Sequence, residues 1–292
     1  MSDSFSHDPA SDRELRLADG RRLTWSEFGA PDGIPVLSCH GGLLCRFDVE
    51  PCAPGFAEAG LRVLSPDRPG VGRSDRAPGH STADWVDDAR QLLDSLGVER
   101  VAVMGWSLGG QYAAAVAARL ADRVSALALV AACPPLDDRH RFAQLNAMDR
   151  RLARLSQRAA PLARAAFTTT ARLGRRSPLR LAHFEAKHSP ASDAAVIDGQ
   201  GGWLGLAMGE GARNGAGMVD EYRAFVGPWG FTLDEVAVPT RVHQGTADTL
   251  VPPTWADVLV AGIPGATLTT YDGEGHMIGI SHRVEIAAAL TP

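Results

Sequence analysis

Val101-Ala102-Val103-Met104-Gly105-Trp106-Ser107-Leu108-Gly109-Gly110 is the stretch on which the fold turns. Its first four residues are continuously apolar, as a strand buried on both faces requires. The alanine-rich run that begins at Gly110 and ends at Arg119 predicts a helix. A serine between strand and helix, with glycine two residues away on each side, has the form of a nucleophile elbow. Such a turn is tight, and its serine is expected in a strained backbone conformation. Side chains at the flanking positions would meet the neighbouring strand and helix, so glycine is needed there. The hydroxyl of Ser107 would stand clear of the sheet at a helix N-terminus, where the dipole favours developing negative charge. The alternative is a Gly/Ser turn that simply ends a buried strand, and with 31 glycines in the chain the five central residues alone do not decide.

The surroundings favour the first reading. Upstream, residues 13–18 and 22–28 flank Asp19-Gly20 and predict a hairpin. A buried strand over 34–39 ends at His40-Gly41-Gly42. A helix near 53–59 stops at Gly60, and a strand over 61–65 empties into the loop Asp67-Arg68-Pro69-Gly70-Val71-Gly72-Arg73-Ser74. An amphipathic helix over 82–96 ends at Gly97. Downstream of Ser107 comes another apolar strand, 124–131. Strands alternating with helices predict an α/β fold: a mostly parallel central sheet with helices on both faces.

Residues 134–232 break the pattern. They contain no clear strand and read as helices interrupted by Gly and Pro. Residues 137–188 hold twelve Arg/Lys against four Asp/Glu, a balance of +8 that leaves −13 for the rest of a chain at −5. The segment reads as an inserted helical cap, with core at 1–133 and 233–292. Its charge is either a set of solvated helix faces or a lid that attracts anionic substrates or a carrier-bound acyl group. Alternation resumes with strands at 240–244 and 266–271 and helices at 254–261 and 279–290.

A serine hydroxyl needs a base, and the base needs a third group to fix its tautomer. In elbow architectures the chain order is serine, acid, histidine. Asp248, four residues past a predicted strand, fits the acid; His276, in the loop Asp272-Gly273-Glu274-Gly275-His276, fits the base. Asp137 and Asp138, after the strand that follows Ser107, rank second as the acid. His243 lies in a strand, His282 beside the last helix, and His140, His183 and His188 in the insertion, so all are weaker bases. Two backbone donors must meet the oxyanion. Leu108 would supply one amide, and Gly42 or Leu43 in the His40 loop the other. Leu43, Trp106, Trp203, Met208 and Met277 are candidate substrate contacts, and Cys45 and Met218 further ones; each is equally a core residue by its pattern.

The remaining composition is ordinary: 45% hydrophobic and 22% charged. The net charge of −5 gives no case for nucleic acid or an anionic membrane surface. Residues 1–10 lack the basic start and apolar core of a signal peptide, and no apolar run reaches the roughly 18 residues of a membrane span, so a cytoplasmic location is expected. Cys39, Cys45, Cys52 and Cys133 show no zinc spacing and read as buried free thiols.

Together, His40-Gly41-Gly42, Asp67 to Ser74, Gly105 to Gly109, Gly245-Thr246-Ala247-Asp248 and Gly275-His276 resemble the α/β-hydrolase superfamily, most of all its bacterial esterase and haloperoxidase-like branch. The resemblance covers about 20–132 and 236–290. It implies Ser107 as nucleophile, His276 as base, Asp248 as orienting acid and the Gly42 and Leu108 amides as oxyanion hole, with no metal or organic cofactor. Leu43-Leu44-Cys45 stands where many members carry proline, which keeps Leu43 open as the second donor. The expected activity is hydrolysis of an ester, thioester or lactone of a small-molecule substrate. Alternatives are C–C cleavage, acyl transfer or other non-hydrolytic chemistry on the same residues, and ligand binding without turnover.

Overall fold

The computed structural model describes residues 7, 8 and 11–291. The residues 1–10 read for a leader therefore lie, apart from His7 and Asp8, outside the described residues.

Eight strands form one sheet: β1 (Arg13–Arg16), β2 (Arg22–Gly29), β3 (Ile34–Cys39), β4 (Leu61–Pro66), β5 (Val101–Trp106), β6 (Val124–Val130), β7 (Thr240–Gly245) and β8 (Thr267–Tyr271). Their order is β1-β2-β4-β3-β5-β6-β7-β8. The β1–β2 and β2–β4 pairs are antiparallel and all others parallel. Position in the sheet matches composition. All six residues of central β5 are buried, whereas edge strand β8 buries only Tyr271. Gly20 takes a φ of 87° in the β1–β2 turn, a value the Asp-Gly pair supplies cheaply.

Helices α1 (Ala53–Glu58), α2 (Trp85–Ser95) and α3 (Gly109–Arg119) connect the early strands. Helix α2 begins three residues later than its apolar pattern suggests. The Asp84 carboxylate accepts hydrogen bonds from the Ser81 amide and hydroxyl, which closes a turn before the helix can start. Between β6 and β7 the chain builds α4 (Arg139–Gln144), α5 (Ala147–Arg158), α6 (Ala160–Arg176), α7 (Pro178–Ala186), α8 (Ala191–Gly199), α9 (Trp203–Gly211) and α10 (Gly215–Phe225). Among the described residues this insertion contains no strand. Its helices pack at small residues. A Cβ on Gly174 of α6 would collide with the Gly205 carbonyl and Gly209 backbone of α9.

After β7 come α11 (Thr254–Gly262), α12 (Ile278–Ser281) and α13 (Arg283–Ala288). The single final helix expected over 279–290 is thus two pieces. They part at His282, which has a non-helical φ of −113° and packs its ring 4.1 Å from that of Tyr271. All four cysteines are buried free thiols. Among the described residues no helix is long and apolar enough to cross a membrane.

Parallel strands point their carboxyl ends one way. The loops that follow β3, β5, β6, β7 and β8 therefore gather on one sheet edge, beneath the insertion.

Candidate active site

Ser107 occupies the sharp turn between β5 and α3 with φ +56°, a left-handed conformation that is strained for a residue with a side chain. The strain is held from several sides. The Ser107 amide donates to Val130 O at 2.9 Å, and its carbonyl accepts from the Gly110 amide at 3.0 Å and the Cys133 amide at 3.3 Å. The flanking glycines are required by space. A Cβ on Gly109 would collide with the Cys39 and His40 carbonyls, and one on Gly105 would lie 2.6 Å from the Ala113 methyl.

Across the sheet edge, His276 Nδ1 lies 2.8 Å from Asp248 Oδ2. Both residues are buried. Asp248 is held firmly: Oδ1 accepts from the Leu250 and Val251 amides at 2.8 and 2.9 Å, and Oδ2 also accepts from Gln244 Nε2 at 3.2 Å. These bonds leave the imidazole little choice but to present Nδ1 to the acid and Nε2 away from it. Burial pushes the His276 pKa down, but the charge and hydrogen bond of Asp248, with Asp193 and Asp149 adding to them, outweigh it and hold it above the ordinary value.

Ser107 and His276 line one cavity of about 750 Å³ between sheet edge and insertion. Among the described residues Ser107 Oγ makes no hydrogen bond to protein. Leu43, Trp106, Leu108, Met208 and Met277 also line the cavity. Trp203 does not. It is fully buried, stacked behind Trp106 with parallel rings 6.3 Å apart, and donates its indole N–H to Phe47 O at 2.8 Å. Met218 and Cys45 are likewise buried away from the cavity, while Cys133 lines it. Asp138 caps α4 through the Arg141 amide and is not beside His276. His243 bonds the Tyr271 hydroxyl from inside β7.

The His40 loop lies against the Ser107 turn. A Cβ on Gly41 would sit 3.7 Å from Ser107 Cβ, and one on Gly42 3.3 Å from the Leu108 side chain. The Gly41 amide is committed to Asp48 Oδ2 at 3.0 Å. Among the described residues the Gly42, Leu43 and Leu108 amides have no protein acceptor, and all three residues line the cavity. Leu43 itself has φ +60°, so Gly42 and Leu43 both stay in play as donors. The loop's shape comes from His40. Its Nδ1 bonds Gly41 O at 2.9 Å and its Nε2 accepts from the Arg68 amide at 3.3 Å. Burial and the nearby Arg68 charge push its pKa down to about 3, so His40 is a neutral framework residue.

Sequence reasoning passed over the insertion's polar residues. Asp193 of α8 accepts from the amides of His276 and Met277, and Tyr222 of α10 donates to Asp149 Oδ1 at 2.7 Å in the cavity wall. No local motif marks them, because their partners lie far away in the chain.

A family model described as "alpha/beta hydrolase fold" matches residues 34–283. Similar curated proteins include a non-heme chloroperoxidase of Streptomyces lividans, 33% identical over 124 residues, and a 2-hydroxymuconate semialdehyde hydrolase of Pseudomonas putida, 37% identical over 125. Each match spans 42% of this chain and less than half of the relative, 45% and 43% respectively. Among solved structures, a bromoperoxidase from Bacillus anthracis aligns with a TM-score of 0.71 at 22% identity, covering 96% of this chain and 98% of that one. An esterase from Exiguobacterium antarcticum aligns with a TM-score of 0.70 at 20% identity, covering 95% and 97%. At such identities the structures speak for the fold, and the family match speaks for ancestry. The chain belongs to the α/β-hydrolase fold family.

Proposed function

We propose that the protein is a serine hydrolase acting on a carboxylic ester, thioester or lactone of a small to medium apolar substrate. Residues 134–232 act as its cap over a core made by 1–133 and 233–292. The observation that carries this reading is the Asp248–His276 hydrogen bond, set on the wall of the same cavity as the strained Ser107.

The geometry supports a definite sequence of steps. Asp248 accepts the Nδ1 proton of His276 and leaves Nε2 with its lone pair. Nε2 takes the Ser107 proton as Oγ bonds to the substrate carbonyl carbon. The C=O electron pair moves to oxygen, and the oxyanion is met by the Leu108 amide and that of Gly42 or Leu43. His276 then passes its proton to the departing alcohol or thiol as the C–O or C–S bond breaks, leaving an acyl-serine. Water, deprotonated by His276, attacks the acyl carbon; the acid leaves and the proton returns to Ser107. The open Ser107–His276 contact suits a resting site, since catalytic hydrogen bonds often tighten only with substrate bound. Leucine, methionine and phenylalanine side chains dominate the cavity wall, which favours an apolar acyl or alcohol group.

A Ser107→Ala variant should fold and lose ester turnover by on the order of a thousandfold or more. A fluorophosphonate should modify Ser107 alone, as read by peptide mass spectrometry. Undiminished hydrolysis by the folded variant would end the proposal. Product analysis with a diketone, or with a competing alcohol, separates hydrolysis from C–C cleavage and acyl transfer.

A further inference from the structure

We infer that Asp193, a buried carboxylate of the insertion, is the positioning residue for His276. It clamps the amides of His276 and Met277 and so ties the base to the insertion. The inference rests on the reading of His276 as the general base.

Asp193 lies on α8 and is 2% exposed. Its two oxygens are divided between two successive amides: Oδ2 accepts from His276 N and Oδ1 from Met277 N, each at 2.8 Å. A carboxylate shared by neighbouring amides fixes the local peptide orientation, not merely its place, because both N–H vectors must converge on one planar group. Among the described residues no other hydrogen bond runs from the insertion to residues 272–281. Gly275 makes room for the clamp. The three atoms nearest to a Cβ built there are the carboxylate carbon and both oxygens of Asp193, all at 2.5 Å or less.

His276 is thereby fixed from three directions. Asp193 takes its amide, Trp106 Nε1 donates to its carbonyl at 3.1 Å, and Asp248 takes Nδ1. The insertion, the nucleophile strand and the acid loop each contribute one restraint. The second fixes the base relative to Ser107, since Trp106 is its chain neighbour. One turn further along α8, Ile197 lines the cavity. A single helix therefore touches both the space the substrate would fill and the backbone of the base.

The clamp also has an electrical consequence. The ionisable groups facing His276 are Asp248 from the β7 loop, Asp193 from α8 and Asp149 from α5, with Glu185, His188 and Arg151 on the same cavity wall. Removing the Asp193 charge takes away one influence that favours imidazolium, so the pKa of His276 should fall.

The experiment compares Asp193→Asn, Asp193→Ala, Gly275→Ala and the Asp193→Ala/Gly275→Ala double variant, with ester turnover and fluorophosphonate labelling as readouts. Asn offers one acceptor and one donor where two amides need acceptors. Both Asp193 variants should lose kcat by on the order of tenfold or more, as small misplacements of a catalytic group do, with KM changing less. The acid limb of kcat/KM should move to lower pH. Gly275→Ala should reproduce the loss of kcat with Asp193 still present. In the Asp193→Ala background the same change should cost little, because the group it strikes is gone. An unmoved acid limb together with additive losses in the double variant would overturn the inference and leave Asp193 a purely structural residue. Should either Asp193 variant fail to fold, Gly275→Ala still decides: full kcat in that variant overturns the clamp. Ser107→Ala and His276→Ala, measured alongside, keep the two questions apart, since their full activity would remove the base itself and not merely its positioning.

Discussion

Arg68 and Glu221 form an ion pair buried on both sides, joining the loop after β4 to helix α10 of the insertion. Arg68 Nε and Nη2 lie 2.8 and 2.5 Å from Glu221 Oε1, and Tyr112 donates its hydroxyl to Oε2 at 3.1 Å. Arg68 Nη1 also donates to the carbonyl of His40, so the pair links the insertion to the candidate oxyanion loop. Truncating one partner strands the other charge out of water. Glu221→Ala should therefore cost about 3–5 kcal/mol, read as a shift of the denaturant midpoint. A loss below about 1 kcal/mol, the range of surface pairs, would mean that water reaches Arg68.

The same pair predicts an acid limit. Burial raises the Glu221 pKa, but the Arg68 charge, with His80 Nε2 nearby at 3.9 Å, outweighs it and holds the carboxyl below its ordinary range. A depressed carboxylate stabilises the fold above its unfolded pKa of about 4.3, and that contribution fades as pH falls through the folded value. The stability gap between wild type and Glu221→Gln should be widest above pH 5 and narrow in acid. A gap that stays constant from pH 7 to pH 3 would show that the charge of Glu221 does not contribute.

As the proposed base, His276 should set the pH dependence of turnover. Its pKa is raised, so the neutral base appears only above the usual histidine value of about 6.5, and the acid limb of kcat/KM should be centred above that value. Asp248→Asn removes the largest of the influences that raise it. The limb should then move down while kcat falls by on the order of 10⁴. A limb that stays in place in Asp248→Asn would assign it to another group.

The central strands and the elbow were legible in the sequence because their pattern is local. Apolar runs mark β5 and β6, and Gly105 answers contacts with Ala113 and Gly110 a few residues on, whereas Gly109 answers the Cys39 and His40 carbonyls of a sheet neighbour. The pairing of Asp248 with His276, the proposed acid and base, was legible through their order and their loops after strands. The insertion was legible only as helices. Trp203, Met208 and Met218 share an apolar helical pattern, and nothing in the pattern tells the cavity-lining Met208 from the two buried residues. Asp193 and Glu221 sit on helices among residues that look like solvated faces. Their partners, Met277 and Arg68, are over eighty positions away, beyond what spacing can register.

That distinction between Met208 and Trp203 can be measured. Met208→Trp adds volume inside the cavity and should lower kcat/KM for long acyl esters at least tenfold more than for an acetate ester. Trp203→Phe removes the indole donor behind Trp106 and leaves the Phe47 carbonyl with the Glu50 amide alone, at 3.3 Å. It should cost roughly 0.5–1.5 kcal/mol of stability without changing the chain-length preference. Equal chain-length profiles for wild type and Met208→Trp would place the acyl group elsewhere.

Added salt separates the two readings of the insertion's positive charge, a solvated face or a lid that attracts anions. Arg154 and Arg158 on α5 and Arg172, Arg175 and Arg176 on α6 are exposed and form no ion pair among the described residues. Arg151 stands at the cavity wall itself, although Asp149 and Glu185 line that wall too. Burial pushes the Glu185 pKa up. Exposed charges act over a Debye length of about 8 Å at physiological salt, so recruitment of anions by these arginines should be screened by added salt. For two esters of equal length, one carrying a carboxylate and one neutral, kcat/KM should fall more steeply with added salt for the anionic one. Neutralising Arg154, Arg158 and Arg172 together should flatten that dependence and leave the neutral ester unchanged. Equal salt responses in the wild type would make the arginines a solvated face and nothing more.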